Sequence, residues 1–348
     1  TTTIISGGTA SGNDARREGG ALWNQTGSTM SVTNLTVDNN TASGPDAAHG
    51  GGGIFNNGGT LNLNNSTLSN NISDGALGNG GGLHVKTGTV NVMLTTFSGN
   101  TSANHGGGIY NNDMLFLNAV TIANNSAVSN GGGIANNSTA SPSLKNTIVA
   151  LNTAAMGSNL SNANGNYTSN GYNLIGQDEA NVFPASANDL EGTVAMPINP
   201  LFGTLANNGG TTFTLALLQN SPAFNAGDPT DMFNDQIGSM VFGGIRDIGA
   251  FEAQSTLGIN DLVFTNNKKS ILYPNPSVNG MVTIQITSNF GNNVSGRLIE
   301  IGSGKVVQSF TLNNVSSLLN FSNLSSGIYV VELVSDIQTE THKLVLAR

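Results

Sequence analysis

Gly50-Gly51-Gly52-Gly53-Ile54-Phe55-Asn56-Asn57 returns as Gly80-Gly81-Gly82-Leu83, as Gly106-Gly107-Gly108-Ile109-Tyr110-Asn111-Asn112, and as Gly131-Gly132-Gly133-Ile134-Ala135-Asn136-Asn137. A looser copy, Gly19-Gly20-Ala21-Leu22-Trp23-Asn24, precedes them. The residue after the glycines falls at 22, 54, 83, 109 and 134, so successive units span 32, 29, 26 and 25 residues. A period of this size marks stacked units, each too small to bury a core alone. A phosphate-binding glycine loop occurs once, between a strand and a helix, with a Lys to meet the charge. This one recurs without that Lys and leads into short strands, so its glycines serve tight turning and close approach of neighbouring units.

Each unit carries a second mark, a polar residue followed by an apolar one: Thr36-Val37, Thr67-Leu68, Thr96-Phe97, Thr121-Ile122 and Thr147-Ile148. Between the two marks run alternating stretches, Leu61-Asn62-Leu63, Val90-Asn91-Val92 and Leu115-Phe116-Leu117. Alternation with period two is the signature of a strand buried on one face. Three short strands per unit and no helical stripe predict the coil of a parallel β-helix over residues 1–160. Coils stack at strand spacing, about 4.8 Å. Ile54, Leu83, Ile109 and Ile134 are expected to form one inward ladder, and Val37, Leu68, Phe97, Ile122 and Ile148 another. The pairs Asn39-Asn40, Asn56-Asn57, Asn70-Asn71 and Asn124-Asn125 are expected to turn the chain and to bond from coil to coil, because Asn tolerates left-handed backbone angles. The longer early units place their extra residues, 43–49 and 73–79, in loops on one side of the solenoid. His49 and His105 occupy matching places two coils apart, too far to share a metal.

Composition limits the function classes. Of 348 residues only 9% are charged, and Gly accounts for 46; about 25% charged and about 7% Gly are usual. Net charge is −9, with 11 Lys and Arg thinly spread, so no nucleic-acid footprint is expected. No apolar run of membrane-spanning length occurs. Absence of Cys excludes thiolate catalysis and Cys-ligated zinc. The start at Thr1 fits a processed product, and capping residues are expected upstream of an open first coil.

From 161 to 254 the strict repeat fades, and this segment is expected to supply final coils and a cap, because an open solenoid end exposes core and strand edges. Asn170-Gly171-Tyr172-Asn173-Leu174-Ile175-Gly176 reads as one further coil. Asp228, Asp231, Asp235 and Asp247 form the densest carboxylate group. Three readings stand: a structural turn or a salt link to Arg246; a calcium site at Asp228, Asp231 and Asp235, calcium needing six to eight oxygens; and catalytic acids. The spacing does not match the twelve-residue calcium loop. Residues 255–270 read as a linker. Over 271–348 alternating stretches at 281–286, 295–300, 305–310, 328–333 and 342–346 predict a small antiparallel β-sandwich.

Several motifs carry resemblances. Asn146-Thr147-Ile148-Val149-Ala150, the run from Gly171 to Gly176, Asn208-Gly209-Gly210-Thr211, Ser221-Pro222-Ala223, Ala226-Gly227-Asp228 and Asp247-Ile248-Gly249-Ala250-Phe251-Glu252 resemble the carboxy-terminal part of choice-of-anchor Q proteins of bacterial surfaces. The Gly-Gly-Gly-Ile coils are similar to those of polymorphic outer-membrane and adhesin-type proteins. Both resemblances imply a right-handed parallel β-helix on an exported protein, and no reaction. Tyr273-Pro274-Asn275-Pro276, Gly304-Lys305-Val306-Val307, Leu324 with Ser326-Gly327-Ile328-Tyr329, and Lys343-Leu344-Val345 closely resemble the type A sorting domain of the type IX secretion system of Bacteroidetes-like bacteria. That resemblance implies an Ig-like sandwich, the type IX secretion machinery as partner, and a product secreted or attached to the outer cell surface.

The expected function is therefore non-catalytic: adhesion, or contact with matrix, glycan or a surface protein. The competing class is a polysaccharide lyase or glycoside hydrolase built on the β-helix. Such chemistry needs paired carboxylates, or calcium with a basic residue. The repeat array holds Asp14, Glu18, Asp38, Asp46, Asp74 and Asp113, with only Asp14 and Glu18 close in sequence.

Overall fold

The computed structural model describes residues 1–179, 181–218, 220–254, 269–287, 290–301, 304–312 and 314–347. Most of the linker expected at 255–270 lies outside them. The chain divides into two compact units, Thr1–Gln254 and Ser255–Arg348.

The first unit is a right-handed parallel β-solenoid of about six turns. Leu22, Ile54, Leu83, Ile109, Ile134 and Leu160 pair in register as one ladder. The four members expected of it are all there and fully buried. Leu160 is a sixth rung that the repeat did not reveal, because Gly157-Ser158-Asn159 replaces the glycine run. Gly157 still takes the left-handed φ, +58°. Next come Val32, Leu63, Val92, Leu117 and Leu144, again in parallel register.

The third ladder is Val37, Leu68, Phe97, Ile122, Val149 and Ile175. Ile148, expected in it, pairs with Thr121 in the neighbouring column instead. That column runs Thr36, Thr67, Thr96, Thr121, Ile148, Leu174 and faces away from the core. It becomes apolar where its cover becomes apolar. Ala223 and Ile248 pack on Ile148 and Leu174, whereas the Gln236 carboxamide meets Thr67 at 3.0 Å and Thr96 at 2.7 Å. The Leu174-Ile175 segment belongs, as expected, to one further coil, which begins at Leu160.

Three corners bend each coil, and each uses a left-handed residue. Asn34, Asn65, Leu94, Ala119, Asn146 and Tyr172 have φ of 47–59°. Asn39, Asn70, Gly99, Asn124 and Leu151 have φ of 52–73°. At the third corner Gly51, Gly80, Gly106 and Gly131 have φ of 64–69°. The glycine after each is there for room: a Cβ on Gly81 would sit 2.5 Å from the Gly107 carbonyl of the next coil, and one on Gly107 would sit 2.5 Å from that of Gly132. The glycine run is a stackable corner.

In Asn39-Asn40, Asn70-Asn71 and Asn124-Asn125 the second Asn turns inward, whereas in Asn56-Asn57 the first is the buried one. Asn13, Asn40, Asn71, Asn100, Asn125, Asn152 and Asn159 form a side-chain ladder with Nδ2 to Oδ1 distances of 2.7–3.1 Å. From Asn40 to Asn125 each backbone N–H also donates to the next Oδ1. Amides buried without partners are costly; here each amide is both donor and acceptor, and the column carries its own satisfaction.

Tyr167 and Phe183 join the end of the main core, and the Tyr167 hydroxyl donates to the Ser161 carbonyl at 2.9 Å. Residues of the segment 161–254, expected to supply final coils and a cap, thus pack in two places. One is the core around Tyr167 and Phe183. The other, from 207 to 253, lies along the flank over the Thr column, with Gly249 N–H on the Asn146 carbonyl at 2.8 Å and Ala250 N–H on Thr121 Oγ1 at 3.0 Å.

The second unit is an antiparallel sandwich of Ig-like character. Ser270–Tyr273, Met281–Ile286 and Ser316–Asn320 form one sheet. Lys305–Leu312, Val294–Glu300, Gly327–Val334 and Thr339–Leu346 form the other. Val282 and Ile284 from the first pack in one core with Leu298, Val331 and Leu344 from the second.

Candidate functional site

The outward face of the middle strand row forms a groove on the solenoid. Where Leu61, Leu63, Val90, Val92, Leu115 and Leu117 point inward, their neighbours must point outward. Two outward columns result: Asn62, Asn91, Phe116, Ser143 and Asn64, Met93, Asn118, Lys145. They line an open groove of about 420 Å³. Asn91 Nδ2 donates to Asn62 Oδ1 at 2.9 Å. Phe116 is 43% exposed between fully engaged neighbours. Its signal was in the sequence: Leu115-Phe116-Leu117, one of the alternating stretches, carries a ring at the outward place where Leu61-Asn62-Leu63 and Val90-Asn91-Val92 carry Asn.

One end of the groove is ionic. Lys145 Nζ lies 2.9 Å from Oδ2 of Asp228 and 2.9 Å from Oδ2 of Asp231. Asn146 Nδ2 donates to Asp231 at 2.8 Å, and Asn146 Oδ1 accepts the Asp228 N–H at 2.8 Å. The Lys145 ammonium, hydrogen-bonded to Asp228, holds that carboxyl down at about 2. The same bond raises Lys145.

Of the three carboxylates proposed for calcium, the structure therefore brings two together, on Lys145. Asp235 is buried elsewhere and accepts N–H groups from Ile237, Ser239 and Glu252. Among the described residues no group of three or more His, Cys, Asp and Glu side chains is gathered as for a metal. Nor is Arg246 the salt partner of Asp228 and Asp231: it is 1% exposed, its guanidinium lies 4.2 Å from the Phe233 ring centre, and its Nε donates to the Asp247 carbonyl. Asp247 accepts the Asn225 and Ala253 N–H groups, and burial pushes its carboxyl up to about 7.

Carboxylates of the repeat array hold corners and loops. Asp113 accepts the Gly88 N–H at 2.7 Å, Asp38 accepts from Ser69 and Asn70, and Glu18 accepts from the Trp23 indole. On the loop side, His84 is buried edge-on between Phe55 and Tyr110, with ring centres at 4.7 and 5.0 Å. Its Nδ1 donates to the His49 carbonyl at 3.2 Å, and burial pulls its pKa down to about 3.

In the second unit the predicted motif residues sort into three places. Tyr273 ends an edge strand, and Pro274, Asn275 and Pro276 carry the chain past the strand Thr339–Leu346. There Asn275 Nδ2 donates to the Lys343 carbonyl at 2.5 Å and its Oδ1 accepts the Val345 N–H at 2.9 Å. Ser277 continues the bracket, donating to the Val345 carbonyl and accepting from Ala347, both at 2.9 Å. Gly304, with φ +65°, ends a turn before Lys305 starts its strand. Gly327 starts the strand in which Tyr329 is buried, its hydroxyl donating to the Ser325 carbonyl at 2.8 Å. This is the local logic of a tyrosine corner. Lys343 points outward beside the Asn275 bracket.

The chain thus joins a repeat solenoid to a separate C-terminal β-sandwich. Residues 271–347 match the family of secretion system C-terminal sorting domains. No curated protein matches the chain. The match and the fold together make this a β-solenoid protein exported through the type IX secretion system, secreted or held at the cell surface. Among the described residues no helix is long and apolar enough to cross a membrane.

Proposed function

We propose that the solenoid is a non-catalytic binding scaffold, serving adhesion or matrix contact through an extracellular glycan. The observation that carries this reading is the groove of Asn62, Asn91 and Phe116, an amide column that ends on an exposed aromatic ring. Amides donate and accept, as sugar hydroxyls do, and an aromatic face suits the apolar face of a sugar ring. The nearest carboxylates are engaged with Lys145, which favours binding over acid–base chemistry. The resemblance of residues 145–252 to choice-of-anchor Q surface proteins is in keeping with this role.

The test is a screen of the full chain against glycans and surface proteins, with polymer chain length followed in parallel. Retention on a glycan without shortening of the polymer is the expected result. Release of shorter chains or unsaturated ends would overturn the non-catalytic reading and favour a lyase or hydrolase. Retention on a surface protein alone would overturn the glycan.

A further inference from the structure

The groove has a direction, a period and a charge, and together they narrow the ligand. Its columns run along the solenoid axis. Neighbouring members are one coil apart, about 4.8 Å, a length comparable to one sugar residue of an extended polysaccharide. In one column two amides, Asn62 and Asn91, precede Phe116. Leu115 and Leu117 anchor the strand on either side of that Phe, at 1% and 2% exposure. The ring is thus held outward by the strand's alternation. Burying an aromatic ring against a ligand is the kind of contact that dominates binding energy.

Charge chooses between polymer classes. Lys145 is the one cation lining the groove among the described residues, and two carboxylates already share it at 2.9 Å. The local sum is one positive charge against two negative. A polyuronate or sulfated chain would meet an occupied ammonium and two like charges, and repulsion of that kind discriminates strongly. An uncharged chain meets no such repulsion at the Lys145 end and, along the rest of the groove, amides, a hydroxyl, Met93 and the ring.

We propose that this groove binds an uncharged polysaccharide in extended form along the solenoid axis, with Phe116 as the stacking platform and the Asn62 and Asn91 amides bonding successive sugars. The proposal rests on the glycan-binding reading above.

Affinity electrophoresis of the full chain tests it, in gels containing hydroxyethyl cellulose, laminarin or galactomannan, and in parallel gels containing alginate or polygalacturonate. At least one uncharged polymer retards the protein, the anionic ones do not, and added salt leaves the retardation unchanged. Phe116→Ala weakens it about tenfold, the scale of one lost aromatic contact, whereas Phe116→Trp retains it. Because Phe116 is exposed, an unchanged melting temperature confirms that the variant is folded. Stronger retardation by alginate or polygalacturonate overturns the proposal. Retardation by an uncharged polymer that survives both Phe116→Ala and Asn91→Ala removes the ligand from this groove while leaving glycan binding intact. No retardation by any polymer, with no glycan retained in the broader screen, removes both.

Discussion

His84 and Asp247 illustrate how single buried groups set the response of the solenoid unit to pH, and they act in opposite senses. His84 stays neutral in the folded protein down to about pH 3, whereas an unfolded His takes its proton near pH 6.5. Between those values the unfolded chain binds the extra proton, so acidification destabilises the fold. Asp247 keeps its proton up to about pH 7 when folded, but loses it near pH 3.9 when unfolded. Over that window the folded chain holds the extra proton, so its contribution is lost as pH rises. Each slope is about 1.4 kcal/mol per pH unit, and between pH 4 and 6.5 the two nearly cancel. Relative to the parent chain, His84→Gln is therefore expected to tilt the profile toward loss of stability as pH rises from 4 to 6.5, and Asp247→Asn to tilt it toward loss as pH falls through the same range. Urea midpoints at each pH measure this; parallel profiles for the two variants would contradict it. Neither behaviour was legible in the sequence. His84 looks like any strand residue until Phe55 and Tyr110 arrive from the coils on either side.

At the scale of the element, the solenoid was legible where chemistry demands one residue type and illegible where several will serve. A corner with φ near +65° and a neighbouring carbonyl against the next Cα position admits only Gly, so Gly80, Gly106 and Gly131 announce themselves. Other corners accept Asn, Leu, Ala or Tyr at similar angles, so the shift from Ile148 to Val149 was hidden. The flank was hidden too, since nothing local in Gln236 points to Thr67 and Thr96, 169 and 140 residues away. The Asn ladder was half legible: the pairs were visible, but not which member is buried, the second in Asn39-Asn40, Asn70-Asn71 and Asn124-Asn125 and the first in Asn56-Asn57. That difference predicts a contrast. Asn100→Leu strands the Asn71 N–H and one Nδ2 hydrogen, the other staying on the Val37 carbonyl, and removes the donor to the Leu68 carbonyl. At about 1–3 kcal/mol for each buried group left unsatisfied, the loss is expected to be about 3 kcal/mol or more. Asn137→Ala breaks an exposed ladder to Asn112 and Asn164 and is expected to cost under about 1 kcal/mol, as surface changes do. Equal urea midpoints for the two variants would show that burial is not what gives the inner ladder its strength.

Across the whole molecule, the two units use different kinds of information. The sorting domain is read by a machine, so its marks are short, fixed and visible as motifs. The solenoid groove is an emergent surface: Asn62, Asn91 and Phe116 are separated by 29 and 25 residues in the sequence and become neighbours only by coiling. The motif also has a structural job that the sequence did not show. Asn275 uses both ends of its carboxamide to bracket the backbone of Lys343 and Val345, tying the first motif to the last strand. Asn275 is exposed, so Asn275→Ala should lower the stability of the sandwich by only about 1 kcal/mol, one net hydrogen bond or so. The sandwich therefore stays folded while the edge of Thr339–Leu346 loses its clasp. If the machinery recognises that strand as presented by the clasp, Asn275→Ala shifts the protein from the culture fluid and cell surface to the periplasm. Deletion of residues 271–347 produces the same shift in full. Fractionation with immunoblotting reads both. Normal export of the Asn275→Ala protein alongside retention of the deletion would confine recognition to features other than the clasp, and normal export of both would remove the sorting role from this domain.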